Sequence, residues 1–142
     1  MSIGDTAEAD IIALVFNAVA IANLADNAAA APLTVLWCAL HTADPGEAGT
    51  QQTSEATYTG YLRTSVARTT TGWARTANSV SPVAAVSFPA ATGGTNTVTH
   101  FSVGTTSSGT GKLIMSGTVT PNLSVTNGVT PQLTTASTCS LD

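Results

Sequence analysis

The residues best suited to chemistry lie close together around one segment, LHTADPGEAGT at Leu40–Thr50. The thiol of Cys38, the imidazole of His41 and the carboxylates of Asp44 and Glu47 are groups that bind metal ions or transfer protons. On a strand, however, Cys38 and His41 point to opposite faces, because their spacing is odd. The pattern therefore argues against a shared site for the thiol and the imidazole.

Metal and cofactor sites receive no further support from the sequence. Zinc takes four ligands, and the remaining candidates, His100 and Cys139, stand far from the segment and from each other. The acidic residues lack the regular Asp/Asn spacing of a calcium loop. We predict no metal site, no cofactor and no catalytic residue, and we interpret His41 as a hydrogen-bonded residue at the end of a strand.

Sequence motifs of common enzymes are also missing. The chain has no Gly-Lys-Ser/Thr loop, no G-x-S-x-G and no H-E-x-x-H. The glycine pair in ATGGTN, residues 91–96, is followed by no predicted helix that would hold a phosphate, so we interpret it as a turn. We predict that the protein is not an enzyme.

The triplet Asp44-Pro45-Gly46 has a mechanical interpretation. Asp at the start of a turn accepts a backbone hydrogen bond, Pro sets φ at the next position, and Gly takes the positive φ of a type II turn. We predict such a turn here. It would end the preceding apolar strand and release the chain into a long loop, and loops on β-scaffolds commonly meet partners.

Charged residues make up only 8% of the 142-residue chain, and the net charge is −4. Soluble monomers usually carry about a quarter charged residues. A surface so poor in charge indicates a protein that lies against partners, copies of itself included. Lys and Arg together number only 4, too few for a phosphate-binding face, so we predict no nucleic-acid partner.

The N-terminal region carries acidic residues where a secretory signal would be basic. The apolar stretch at Ile11–Leu24 is interrupted by Asn17 and Asn23 and is too short to span a bilayer. We therefore predict synthesis in the cytoplasm and no membrane partner. In that compartment Cys38 and Cys139 are expected to stay reduced more often than paired, and both states remain open.

The first predicted element is a helix over residues 5–26. Asp5 followed by Glu8 resembles a capping box, and neither Gly nor Pro interrupts the sequence before Asp26. The apolar stripe of this helix is broader than one surface helix needs. Two interpretations stay open: the helix lies across the chain's own sheet, or part of the stripe contacts another subunit. The candidate contact residues are Ile12, Val15, Phe16 and Val19.

Everything after Pro32 is typical of strands and turns. Leu33–Leu40 is the most apolar run and is predicted to be a buried strand. In the strand predicted at 61–68, alternation places Leu62 on one face and Arg63 on the other. The remaining strands are predicted at 83–88, 97–104 and 112–120, with turns at the Gly-rich clusters between them.

These elements predict one domain, 1–142, that is mainly β. Short strands at this spacing favour a β-sandwich or jelly roll of antiparallel strands, with the helix at the N-terminus. The sandwich is predicted over 33–135 and a flexible C-terminal tail, which contains Cys139, over 136–142.

The segment VTPNLSVTNGVTPQL predicts a hairpin around Asn127-Gly128. A three-residue loop pairs Val125 with Val129, places Leu123 on the same face and puts Gly128 in the left-handed conformation. Pro121 and Pro131 cannot donate to a ladder, which indicates a sheet edge. Leu123, Val125 and Val129 are therefore candidate contacts with a neighbouring subunit; the alternative is an ordinary edge blunted by proline.

Aromatic residues offer one further hypothesis. Tyr58, Tyr61 and Trp73 flank the Arg-bearing strand, and exposed aromatics beside Arg can stack on sugars. A host-glycan-binding module follows if they are exposed. If they are core residues, this hypothesis loses its basis.

Several motifs in order resemble a group of small virion structural proteins of tailed bacteriophages. They are the apolar strand that ends in LHTADPGEAGT, then YTGYLRTSVART, SVSPVAAVSFPA and VTHFSVGT. The resemblance covers about Leu33 to Pro121. It implies a structural component of a virion and brings no catalytic residues with it.

The resemblance and the composition together lead to a ranked set of functions. The first is a capsid decoration, or cement, protein that oligomerises, with a trimer as one option, and stabilises the shell of major capsid protein. The second is a tail or tail-fibre component that binds tail proteins. Both place the protein in the virion, and neither requires a cofactor.

Overall fold

The computed structural model describes residues 5–21 and 31–141. Its fold is mainly β, with antiparallel sheets and one helix, which confirms the predicted β-sandwich class. The elements are α1 (Asp5–Asn17), β1 (Val35–His41), β2 (Thr64–Ala67), β3 (Trp73–Thr76), β4 (Ser79–Pro82), β5 (Val86–Ser87), β6 (Asn96–Gly104), β7 (Leu113–Val125), β8 (Gln132–Leu133) and β9 (Cys139–Ser140).

Strand β1 lies inside the largest sheet, whose order is β2-β1-β6-β7. Its sequence, VLWCALH, is apolar at almost every position, as expected of a strand covered on both faces. The residues from Cys38 to His41 are all buried. The prediction of a buried strand in this run is confirmed.

The register between β1 and β6 sorts their side chains into two faces, because directly paired residues point the same way. Cys38 pairs with Val103 and Leu40 with Phe101, which gives an apolar face. Ala39 pairs with Ser102 and His41 with His100, which gives a polar face. The two faces of this sheet are covered by different means.

The apolar face packs against the rest of the sandwich. The opposing layer contains the sheet β3-β4-β9, the pair β5-β8 and helix α1, which lies against β3 and β4. Phe16 of α1 meets Trp73 of β3 edge to face, with 4.9 Å between ring centroids and a 73° interplanar angle. The core joins residues of every layer, including Ile12, Phe16, Leu36, Leu40, Trp73, Val80, Phe88, Phe101 and Val125.

Helix α1 is shorter than the predicted 5–26. It begins at Asp5 as predicted but ends at Asn17, and Ala18 takes a positive φ of 56°. The Arg68 guanidinium donates hydrogen bonds to the carbonyls of Leu14 and Val15 in the last turn. This cation satisfies carbonyls that helix ends leave free, and it matches the negative end of the helix dipole. Residues 22–26 of the predicted helix lie outside the described residues.

The predicted hairpin at Asn127-Gly128 is wrong in its pairing. Gly128 does have a positive φ of 86°, and the Val129 N–H donates to the Thr126 carbonyl at 3.0 Å, so a turn is present. The chain that leaves the turn, however, pairs with a different partner: the Ala91 N–H donates to the Val129 carbonyl, and β8 pairs with β5. A long-range partner therefore replaces the local one.

The edge position predicted for this region holds for Pro121. Strand β7 is the outermost strand of its sheet and pairs with β6 on both sides of residues 119–122. Pro131, by contrast, is fully buried. The turn between β6 and β7 lies in the Gly-rich cluster at 105–111, as predicted.

The C-terminal residues form part of the sandwich, so the prediction of a flexible tail is wrong for 139–141. Cys139 pairs with Val80 of β4 and is 7% exposed. The Leu141 N–H donates to the Asn78 carbonyl, and the Asn78 amide donates back to the Leu141 carbonyl. An apolar Cys139 side chain that faces the core explains why this short strand is held.

Other strands also have bounds that differ from those predicted. Of the strand predicted at 61–68, only Thr64–Ala67 is β, and ahead of it Leu62 is exposed while Arg63 is buried. Only Val86–Ser87 is strand within 83–88, and the β3–β4 hairpin was not predicted. Val98 lies in the core. The β6–β7 register shifts between Val98 and His100.

Candidate functional site

The Asp44-Pro45-Gly46 segment forms a turn in which the predicted roles of Asp44 and Gly46 are confirmed. The Gly46 N–H donates to Asp44 Oδ1 at 2.9 Å, and Gly46 has a positive φ of 69°. The backbone-bonded turn starts at Gly46, two residues later than the type II turn predicted from Asp44, since the Gly49 N–H donates to the Gly46 carbonyl. The acid of this segment stabilises a turn.

His41 closes β1 and is fully buried on the polar face. Its Nδ1 lies 2.8 Å from the Thr53 carbonyl, and its Nε2 lies 2.7 Å from Ser102 Oγ. Because a carbonyl only accepts, Nδ1 carries the proton and Nε2 accepts from the Ser102 hydroxyl. Burial lowers the pKa of His41, partly opposed by the hydrogen bond to Thr53. These contacts confirm the prediction of a hydrogen-bonded residue at a strand end.

Arg63 and Glu55 form a buried ion pair beside His41. Arg63 Nε lies 2.7 Å from Glu55 Oε1 and Nη2 lies 2.8 Å from Oε2, a two-pronged arrangement. The same guanidinium donates to the carbonyls of Thr106 at 3.0 Å and Gly109 at 2.6 Å. Arg63 therefore joins the loop that follows β1 to the turn between β6 and β7.

Gln51 fixes the same two loops from the other side. Its Nε2 donates to the Trp37 carbonyl at 2.9 Å, and its Oε1 accepts from the Thr106 N–H at 3.2 Å. A Cβ added to Gly104 or Gly111 would overlap the Gln51 side chain, so both positions need glycine. We call His41, Gln51, Glu55, Arg63, Ser102 and Thr106 the polar network.

Most of the polar network was missed by sequence reasoning. The Arg63 position held one signal: an Arg on a predicted strand in a chain with only 4 Lys and Arg residues. Buried charges are nearly always paired, so Glu55 was a reasonable partner to seek. Gln51 and Thr106 gave no comparable signal, because uncharged polar residues are abundant throughout this chain.

The network does not resemble a nucleophile or metal site. Among the described residues, no group of three or more His, Cys, Asp and Glu side chains is placed to hold a metal ion. Cys38 lies on the apolar face, away from His41, and burial raises the pKa of its thiol to about 12. Burial raises the pKa of Cys139 to about 11, and both thiols are free.

The aromatic residues considered for sugar stacking are packed inside the protein. Tyr58 is 2% exposed and Trp73 is 3% exposed. Tyr61 lies between the rings of Tyr58 and Phe88, and its hydroxyl accepts from the Leu40 N–H and donates to Glu55. The glycan hypothesis based on these three residues therefore loses its basis.

The candidate interface residues separate into two groups. Ile12, Phe16 and Val125 are at most 1% exposed and belong to the chain's own core, so their side chains are not available to a partner in this fold. For this part of the stripe, the helix lies across the chain's own sandwich. Val19 is 49% exposed, and Val15, Leu123 and Val129 are half-buried, so contact with another subunit stays a prediction for these four.

A groove opens on the outer side of β7. It has a volume of about 570 Å³ and lies between residues 117–123 and the segment 132–138, with Phe101 at its floor. Phe101 packs closely beneath the strand, because a Cβ on Gly117 would come within 2.8 Å of its ring. We call this cavity the β7 groove.

No helix among the described residues is long and apolar enough to cross a membrane. A family model described as "Podophage GP4 fiber I protein gp80" matches residues 3–139. The chain belongs to this family. Curated proteins gave no match.

Membership in this podophage family makes the chain a structural protein of a bacteriophage virion. The predicted resemblance is confirmed at that level. The match identifies neither a family of decoration proteins nor a family defined by the TADPGE segment at residues 42–47.

Proposed function

We propose that the protein is a structural subunit of a fibre on a podophage particle. The observation that carries this proposal is the match of nearly the whole described chain, residues 3–139, to a family described as a fibre protein. This function was our second hypothesis from the sequence, after capsid decoration. The family description moves it to first place.

The side-chain chemistry supports a mechanical role. The ionisable side chains of the polar network make hydrogen bonds within the protein: His41 with the Thr53 carbonyl, and Arg63 with Glu55 and the Thr106 carbonyl. Asp44 stabilises a turn, and the thiols of Cys38 and Cys139 are free and buried. These residues supply rigidity, which suits a particle component that must keep its shape.

The surface supports assembly with copies of itself and with other virion proteins. Large apolar side chains are exposed on and after the helix, with Ile11 at 37%, Val19 at 49% and Leu33 at 45%. Together with only 8% charged residues, they favour burial against another protein surface. We propose a homo-oligomer attached to the tail machinery. Attachment to the major capsid protein is the competing arrangement.

Location and copy number on the particle test the proposal. Purified virions would be imaged by cryo-microscopy, and the chain would be quantified by mass spectrometry against the portal and major capsid proteins of the same sample. A fibre subunit is expected in low number, at the appendages and in proportion to the portal. Copies spread over the icosahedral shell, in proportion to the major capsid protein, would show a decoration protein and overturn the fibre assignment.

A further inference from the structure

The two cysteines of the chain come from opposite layers of the sandwich and meet at one internal cavity. Cys38 lies on β1 of the four-stranded sheet, and Cys139 lies on β9 of the three-stranded sheet. Both side chains are buried, with exposures of 1% and 7%, and both thiols are free. The cavity that they line has a volume of only about 10 Å³, room for a single water molecule at most. The fold therefore brings together two thiols that are far apart in the sequence.

The electrostatics of Cys38 also place the two thiols close to each other. Burial is the main reason that the pKa of Cys38 rises to about 12, and the nearby Cys139 adds to the increase. Because the interaction between charges weakens with distance, Cys139 must lie near Cys38 to have this effect. The other residues that line the cavity are mainly apolar: Trp73, Val80, Pro82, Val86, Phe101, Val103 and Leu133. An uncharged disulfide suits such surroundings at least as well as two thiols do.

Cys139 is the thiol that an oxidant reaches first. It lies in a strand of two residues, β9, which is the outer strand of its sheet and pairs with β4. Short outer segments of this kind open locally at a much lower cost than unfolding of the whole protein. Cys38, by contrast, lies on an inner strand between β2 and β6. Local opening of β9 would expose Cys139 and would remove part of the cover from Cys38.

We propose that Cys38 and Cys139 form a disulfide across the sandwich once the virion is in an oxidising medium. The synthesis predicted in the cytoplasm would leave both thiols reduced, because that compartment keeps cysteines as thiols. A virion leaves the cell and loses this protection. The bond would tie β9 to β1 and join the two layers covalently. The proposal holds for a fibre subunit or a shell protein alike, so its failure would leave the location of the protein on the particle unaffected.

The reaction needs a small disulfide, such as oxidised glutathione, as the oxidant. The Cys139 thiolate attacks one sulfur of the small disulfide, which forms a mixed disulfide and releases one small thiol. The Cys38 thiolate then attacks the Cys139 sulfur and releases the second small thiol. In total the chain gives up two protons and two electrons, and one small disulfide becomes two thiols. Burial raises the pKa of both cysteines and makes their thiolates scarce, so the reaction is slow until β9 opens.

Oxidation of the reduced, purified full chain by oxidised glutathione tests the proposal. Acid would stop the exchange at a series of times, and the remaining thiols would be alkylated in denaturant and counted by mass spectrometry. We expect both thiols to disappear together, and peptide mapping without reductant to find a link between Cys38 and Cys139 within one chain. The oxidised chain is expected to melt about 10 °C above the reduced chain, because the link closes a loop of about 100 residues in the unfolded state.

Cys38→Ala and Cys139→Ala are the controls, since neither variant can form the internal link. The melting temperature of each should be the same with and without oxidised glutathione. The comparison of the two redox states of the unmodified chain does not depend on these variants and stays valid if one of them fails to fold.

The virion itself provides the second measurement. Particles purified in air and collected with a thiol-blocking reagent should carry the same link in peptide maps. Free thiols in those particles would overturn the proposal. So would a folded chain whose thiols stay free while the denatured chain oxidises, glutathione that remains attached to Cys139, or a link that lowers the melting temperature.

Discussion

The two ends of the β6–β7 hairpin use similar residue types for different purposes. At the turn, Thr106 and the neighbouring carbonyls are bound by Arg63 and Gln51, and those two side chains are buried. At the other end, Thr118, Thr120 and Asn122 are exposed and make no internal side-chain hydrogen bond among the described residues. Binding by a buried side chain, and not residue type, separates the polar groups that stabilise this fold at the turn from the exposed polar groups of β7 that make no internal hydrogen bond.

The difference has an energetic basis. The polar face of β1 and β6 is covered by loops, and loops bring backbone groups that must find partners once they are buried. The polar network supplies those partners through two groups of hydrogen bonds: His41 with Ser102, and Arg63 with Gln51, Glu55 and Thr106. On the outer part of β7, the Thr118, Thr120 and Asn122 side chains are exposed and make no hydrogen bond within the described residues, so the fold does not depend on them. Substitutions should therefore be costly in the polar network and nearly neutral on the outer part of β7.

Arg63→Ala is expected to have the largest effect. It leaves Glu55 without its ion-pair partner in a mostly buried position and frees the carbonyls of Thr106 and Gly109. Breaking a buried pair from one side costs about 3 kcal/mol or more. Urea unfolding of the purified variant measures this loss. Arg75→Ala, at an exposed strand position, is the matched control and should stay within about 0.5 kcal/mol of the unmodified chain. Equal stability of the two variants would contradict a structural role for the network.

Gly104→Ala is expected to rank second. The added methyl group would overlap Gln51 and the Lys112 carbonyl, and overpacking of this kind costs about 2 kcal/mol. Gly93→Ala is the matched control, because its new Cβ would meet Thr59 at ordinary distances of 3.4 and 3.6 Å. Thermal unfolding of both variants checks the difference. A Gly104→Ala variant as stable as Gly93→Ala would show that the contact with Gln51 is loose.

Agreement between local pattern and long-range packing explains which parts of the fold the sequence predicts. Strand β1 was recognised because its apolar run has one physical explanation, burial on both faces. Strands β6 and β7 were recognised, although β7 extends beyond the predicted 112–120, because a Gly-rich turn separates two runs of strand-forming residues. In both elements, local pattern and long-range packing agree.

Where contacts between residues far apart in the sequence determine the pairing, the predictions from local pattern were wrong. Local pattern favoured pairing of Val125 with Val129, but the chain after Gly128 pairs with the segment near Ala91. Cys139 belongs to the core only because β4 is there to receive it. The polar network is also long-range, since Arg63 and Thr106 are far apart in the chain. The register shift between β6 and β7, beside which the groove lies, is not indicated by any residue pattern.

Protonation of His41 makes the stability of the fold depend on pH. Its pKa in the folded protein is lowered from 6.5 by burial, so the unfolded chain binds the proton more readily. Stability is therefore complete above about pH 6.5 and declines as the pH falls below it toward the lowered value. We expect the unmodified chain to lose stability through this window more steeply than His41→Gln, as measured by urea unfolding at a series of pH values. Identical pH profiles for the unmodified chain and His41→Gln would contradict the assignment.

Asn122→Ala is expected to have the smallest effect on stability and so completes the comparison. The side chain is exposed and makes no internal hydrogen bond among the described residues, so its loss leaves no buried group unsatisfied. The free energy of unfolding should change by less than about 0.5 kcal/mol. Thermal and urea unfolding of Asn122→Ala and Arg63→Ala under the same conditions would compare the loss of stability at the two ends of the hairpin. A loss near that of Arg63→Ala would mean that Asn122 holds the irregular part of β7 in place, which would contradict the difference between the two ends of the hairpin.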